Sequence, residues 1–225
     1  MKKFIHYIDY FFYVSFYWNP WLATFIIFHE IKRGSKYGIN TVKPEKLHKL
    51  SVKAGDISKG SPYEAVSYYL LEKLLSAFRK FSDSKSIIDL GCGKGRVMVV
   101  AAYFGFTSIT GVDFAKELCE EAEANMIKVQ KKFTDLKWKV ICNDVLNYDI
   151  SPDDCVFFMF NPFTKDILEK FLQKIERSLQ QAPRTIYFLY ASPLYIEVLL
   201  KYSYKIVYHI NPKKKLEAVI LEKSS

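Results

Sequence analysis

Ten consecutive residues concentrate the chemistry of this chain. Ile87-Ile88-Asp89-Leu90-Gly91-Cys92-Gly93-Lys94-Gly95-Arg96 leaves an apolar run, passes through three glycines and enters a helical pattern. Glycine at these places lets the backbone turn sharply and approach a ligand without a Cβ in the way. The spacing narrows the ligand. A dinucleotide loop reads G-x-G-x-x-G and seats a pyrophosphate on the helix N-terminus. Here the third glycine falls one place early and Arg96 follows it. A P-loop needs G-K-[ST], which is absent. Asp89 would repel a pyrophosphate but suits a ligand carrying an amino group and a sulfonium. Asp113 closes Ile109-Thr110-Gly111-Val112-Asp113, 22 residues after Gly91. A carboxylate at that point can accept from both ribose hydroxyls. Asp144 closes Val140-Ile141-Cys142-Asn143-Asp144 and is placed to accept from an adenine amino group, with the Val145 N–H near the ring.

These groups need strand ends to hold them. From residue 61 onward, strand and helix patterns alternate. Strands are predicted at Ser86–Leu90, Ile109–Asp113, Trp138–Cys142, Val156–Phe160, Thr185–Tyr190, Tyr204–Ile210 and Leu216–Glu222. Helices are predicted at Tyr63–Phe81, Gly95–Phe104, Lys116–Phe133, Lys165–Gln181 and Pro193–Tyr202. That alternation implies an α/β fold, a mostly parallel sheet covered on both faces. The last two strands flank a short basic turn, Asn211-Pro212-Lys213-Lys214-Lys215, so one of them must run antiparallel. In such a sheet, ligands bind beyond the carboxyl ends of the strands at the switch point. Asp89, Asp113 and Asp144 all lie there.

The combination of DLGCGKGR, GVD after the second strand and ND after the third resembles the cofactor site of class I S-adenosylmethionine-dependent methyltransferases. The resemblance covers residues 61–225. It implies a three-layer Rossmann-like sandwich whose seven-stranded sheet ends in an antiparallel hairpin. Carried over by position, Gly91, Gly93 and Gly95 would line the methionine and ribose side. Asp89 would reach the methionine amino group, Asp113 the ribose, and Asp144 with Val145 the adenine, with Phe114 as a further cofactor-binding residue. Strand four runs into Asn161-Pro162-Phe163, where these enzymes meet the methyl acceptor. The segment partly matches the Asn/Asp-Pro-Pro-aromatic of amino-group methyltransferases, lacking the second proline. It also resembles Asn-Asn-Phe of the lysine methyltransferases without a SET domain. The resemblance therefore implies a nitrogen acceptor, a protein lysine above others, with Asn161, Pro162 and Phe163 as catalytic residues. The residues alone leave open that Asn161 caps a turn and Phe163 is core. They also leave open a dinucleotide-binding oxidoreductase and a cofactor-binding scaffold without activity. Tyr63, Tyr68 and Tyr69 could cover the cofactor or pack as core. Arg96 is expected to pair with a carboxylate near the loop.

Residues 1–60 form a separate, helical extension and basic linker. They hold ten Lys/Arg against four Asp/Glu, while residues 61–225 hold 23 against 20. The net charge of +9 is therefore mostly theirs, and it suggests an anionic partner. Residues 1–30 also contain twelve of the chain's 37 aromatic residues. From Tyr10 to Phe28 there are 19 residues without charge, near the lower limit for a membrane span. Asn19-Pro20 interrupts that stretch, so two short helices joined there are predicted. Their aromatics must pack on the domain, on a second copy in a homodimer, or on a membrane surface as a peripheral contact. Residues 32–60 read as a polar linker or lid with one short helix at Pro44–Lys53. Cys92, Cys119, Cys142 and Cys155 form no C-x-x-C pair, and the four histidines are far apart, so no metal site is expected. Scattered thiols point to a cytoplasmic location.

Overall fold

In the central strands Ser86–Leu90 and Val156–Met159 every residue but Ser86 is buried, as a sheet covered on both faces requires. The computed structural model describes residues 12, 15, 16, 20–39, 41, 63–210 and 216–224. The helix predicted at Pro44–Lys53, the basic turn at 211–215 and all but residues 12, 15 and 16 of the first of the two N-terminal helices lie outside the described residues. Seven strands form one sheet: β1 Ser86–Leu90, β2 Ser108–Asp113, β3 Lys137–Cys142, β4 Val156–Met159, β5 Ile186–Ala191, β6 Lys205–Ile210 and β7 Ala218–Lys223. Their order is β3-β2-β1-β4-β5-β7-β6. β1 to β5 pair in parallel, and β7 runs antiparallel between β5 and β6. β1 sits between β2 and β4, the place where the strand order reverses. The expected parallel sheet and reversed hairpin are both present.

Among the described residues, six helices flank the sheet: α1 Pro20–Tyr37, α2 Tyr68–Phe78, α3 Arg96–Tyr103, α4 Lys116–Gln130, α5 Lys165–Gln181 and α6 Ile196–Lys201. Two apolar layers result. One gathers α1, α2, α3 and part of α4. The other gathers α5 and α6, with Phe157, Phe171 and Phe188 at its centre. α5 buries Ile167, Leu168, Phe171, Leu172, Ile175 and Leu179 along one face. Each such burial contributes about 1.5–3 kcal/mol, enough to seat a helix whose other face is charged.

The two largest shifts from the predicted boundaries are in helices. α2 starts at Tyr68 rather than Tyr63, which leaves Tyr63 free to cross the glycine loop. α1 continues through Gly34 to Tyr37, into a stretch read as linker. Tertiary contacts override the helix-weakening glycine. Arg33 Nε donates to Glu72 at 2.5 Å and Tyr37 Oη donates to Glu72 at 2.6 Å. Tyr37 also stacks on Tyr68, with ring centroids 5.3 Å apart. Burial acts to raise the Glu72 pKa, but the hydrogen bonds from Tyr37, Arg33 and Lys36 outweigh it and hold it below the usual value.

Candidate functional site

The glycine loop is shaped by what presses on it. Gly91, Gly93 and Gly95 have φ of +74°, +51° and +75°, the left-handed region that suits glycine. A Cβ on Gly91 would overlap Pro162, and one on Gly93 would overlap the Tyr63 ring. A Cβ on Gly95 would stand 3.1 Å from Ala122 of α4. The loop is thus walled by the end of β4, by the approach to α2 and by α4. Its backbone is pinned as well. Gly91 N and Cys92 N donate to Val112 O at 2.8 and 3.0 Å. Asn125 Nδ2 donates to Lys94 O at 2.9 Å.

Asp113 braces the loop from β2. Its Oδ2 accepts from Gly93 N at 2.9 Å and its Oδ1 from Ala115 N at 3.0 Å. Burial raises the Asp113 pKa, against the opposing pull of the Ala115, Gly93 and Phe114 N–H groups. Asp89 is more exposed to desolvation still. It is 2% exposed, and its Oδ2 is buried without a hydrogen-bond partner. Burial first, and the Asp113 carboxylate second, push its pKa well above the usual range. An unanswered carboxylate oxygen costs free energy unless something brings it a donor or a positive charge. A ligand carrying an ammonium group fits that requirement.

Asp144 follows β3 and caps a short 3-10 turn, Val145–Asn147, with Oδ1 accepting from Leu146 N at 2.8 Å. Phe114 and Val145 are both half-buried at neighbouring strand ends. Across the switch point, Asn161 and Ser192 end β4 and β5 with φ of +46° and +49°. Left-handed non-glycine residues of this kind cluster at functional sites. Asn161 Nδ2 donates to Ser192 O at 2.7 Å, and its Oδ1 accepts from Tyr190 Oη at 2.6 Å and from Leu194 N at 3.3 Å. Both lone pairs of that oxygen are engaged within the corner. Pro162 meets Gly91, while Phe163 is only 9% exposed and lies in the α5 core layer. The residues Asn161-Pro162-Phe163 and Ala191-Ser192-Pro193 give this rim no charge.

Arg96 finds its carboxylate 66 residues away in sequence. Its Nη1 donates to Glu30 Oε1 of α1 at 2.9 Å, and its Nη2 lies 2.9 Å from Glu30 Oε2. Nε donates to Thr41 Oγ1 at 2.6 Å, and Nη1 also donates to Val66 O at 2.7 Å. The guanidinium stands 3.9 Å over the Tyr68 ring. Glu30 and Arg96 are 2% and 3% exposed. Burial works against the charge on Arg96, yet Glu30, Tyr68 and Tyr63 hold its pKa above the ordinary value. Sequence reasoning missed Glu30, Tyr190 and Ser192. Glu30 did carry a signal: it is the single acidic residue between Asp9 and Glu45, set in an apolar helix.

Comparison with known proteins bears on the fold that carries this site. Residues 87–182 match the model of a methyltransferase domain family. Comparison with curated protein sequences returns no relative. Among solved structures, a candidate RNA methyltransferase from Pyrococcus horikoshii is 18% identical, with a TM-score of 0.51 over 79% of this chain and 92% of that one. A candidate methyltransferase from Escherichia coli is 13% identical, with a TM-score of 0.53 over 71% and 88%. The magnesium protoporphyrin IX methyltransferase of Synechocystis, solved with S-adenosylmethionine, is 15% identical, with a TM-score of 0.50 over 68% and 77%. At these identities the likeness concerns the fold, and the matched segment spans the glycine loop, β2, β3 and β4. Over residues 87–182 the chain therefore carries a class I S-adenosylmethionine-dependent methyltransferase domain.

Proposed function

We propose that the chain transfers a methyl group from S-adenosylmethionine to a neutral nitrogen, with a protein lysine or a comparable amine as the acceptor class. The observation that carries the cofactor reading is the partnerless oxygen of Asp89 beside a loop that admits only glycine. When bound, the donor supplies an electrophilic methyl group on a positively charged sulfur. Asp89 would take the methionine ammonium. Asp113, already accepting from the Gly93, Ala115 and Phe114 N–H groups, would turn its remaining acceptor capacity to the ribose hydroxyls. Gly91, Gly93 and Gly95 would line the ligand, with Phe114, Asp144 and Val145 toward its adenine.

The acceptor reading rests on the uncharged rim at the ends of β4 and β5. An amine there loses solvation, which favours its neutral and nucleophilic form. Methyl transfer then depends mainly on alignment. Asn161 contributes as a positioning residue that locks Tyr190 and Ser192, and Pro162 sets that corner against the loop. Phe163 supports both from the core. A lysate supplied with radioactive methyl donor and the purified chain should show a labelled protein band. With that acceptor in hand, Asn161→Ala should lower kcat more than tenfold while donor affinity changes little. Equal loss of both would make Asn161 a structural residue, and a labelled oxygen or carbon centre would overturn the acceptor class. Tighter binding of a nicotinamide dinucleotide than of the methyl donor would overturn the reading as a whole.

The raised Asp89 pKa fixes a sign for pH. In the ligand-free fold the protonated form is favoured, so this contribution to stability is full below the usual carboxylate range. It is lost as pH rises through the raised value. A cationic ligand favours the ionised form. Donor affinity should therefore rise with pH across the range where Asp89 still holds its proton, by up to about tenfold per pH unit. Asp89→Asn should flatten that dependence in calorimetry and weaken binding throughout. A flat profile in the unaltered chain would remove Asp89 from the site.

A further inference from the structure

We infer that the outward face of α1 docks flat on an anionic lipid surface. The inward face of this helix is spent on the domain: Ala23, Ile26, Glu30 and Tyr37 are buried there. On the opposite face, Trp21, Phe25 and Phe28 recur at spacings of four and three, and Lys32 follows at four. They form one stripe along the helix. Trp21 is 86% exposed and Phe28 is 60% exposed. Phe12 and Phe16, just upstream, are exposed too. A helix with apolar residues on both faces belongs in an interior, and this one lies at the surface.

The rim of the stripe has a single sign. Lys32 Nζ is 6.0 Å from the Phe28 ring centroid. Lys73 Nζ is 4.5 Å from the Tyr69 ring, which in turn meets Phe25 with centroids 4.9 Å apart. Lys36 stands at the C-terminal end. The carboxylate beside them, Glu72, is consumed by Arg33, Lys36 and Tyr37. A two-fold contact between copies would set this lysine rim against itself, because such a contact joins identical patches. Anionic headgroups answer the lysines, while Trp and Phe suit the boundary between headgroups and acyl chains. Among the described residues, no helix is long and apolar enough to cross a membrane, so the fitting mode is to lie on one.

The full chain should sediment with vesicles of phosphatidylcholine and phosphatidylserine, and far less with phosphatidylcholine alone. Added salt should release it. Two variants test the face without touching the cofactor loop. Trp21→Ser with Phe28→Ser removes the rings, and Lys32→Glu with Lys73→Glu reverses the rim. Each should weaken vesicle binding about tenfold or more, with donor affinity and melting temperature unchanged. Equal binding to neutral and anionic vesicles, no binding to either, or binding that survives both variants would overturn the proposal. A solution dimer that Trp21→Ser with Phe28→Ser disperses, without vesicle binding, would do the same and assign the face to a second copy.

Discussion

Glu30→Ala should destabilise the chain by about 3–5 kcal/mol, because it leaves the Arg96 guanidinium buried without its counter-charge. For a chain of this size, that lowers the melting temperature by roughly 10 °C. The effect should not stop at stability. Arg96 is the first residue of α3 and follows Gly95 directly, so its loss of anchorage loosens the helix start that shapes the loop. Donor affinity should therefore fall with stability. Glu30→Gln keeps two hydrogen-bonding atoms in place and should fall between the two. Combining Glu30→Met with Arg96→Met removes both charges and should recover most of the lost stability, since a buried ion pair is often replaceable by packed apolar groups. Thermal unfolding and calorimetry on the three variants check this. A Glu30→Ala chain that melts with the unaltered protein would mean α1 is not clamped through Arg96.

Gly91→Ala should abolish donor binding at ordinary concentrations, a loss of about 100-fold or more. Two costs combine. An L-residue at φ +74° costs about 1–2 kcal/mol. The new Cβ would also overlap the Cβ of Pro162, which is tied to the backbone and cannot swing aside. Either the loop or the end of β4 must move, and both line the site. Gly105→Ala supplies the control. Its φ is +80°, but nothing lies within 4 Å of the added Cβ. That variant should lose stability by the backbone cost alone and bind the donor normally. Calorimetry on the pair separates strain from collision. Equal loss of affinity in both would mean the contact with Pro162 has no bearing on the site.

Local patterns made most of the domain readable in advance. β1 at Ser86–Leu90 and α5 at Lys165–Gln181 stand where the periodicity places them. The reason is that burial imposes a period on each element, and that period survives in one dimension. The reversed hairpin was also legible, since a turn as short as residues 211–215 admits no parallel crossover. The glycine loop could be read because left-handed backbone selects residue type locally. Helix ends were less legible. Gly34 and the stretch from Tyr63 to Ser67 follow tertiary contacts, which outweigh a propensity of about 1 kcal/mol or less per residue.

What the linear order alone determined about this protein is the alternation of strands and helices, the three carboxylates at consecutive strand ends and the glycine spacing between them. Tertiary structure alone decided which carboxylate answers Arg96, that Asp89 keeps an oxygen without a partner, and that Asn161 turns into the β4–β5 corner while Phe163 turns into the core. It also decided which face of α1 is spent on the domain and which is left outward. The physical reason is range. Period, turn chemistry and backbone sign act between near neighbours in the chain. Desolvation and ion pairing depend on every atom within a few ångströms, and those atoms come from segments that only folding brings together.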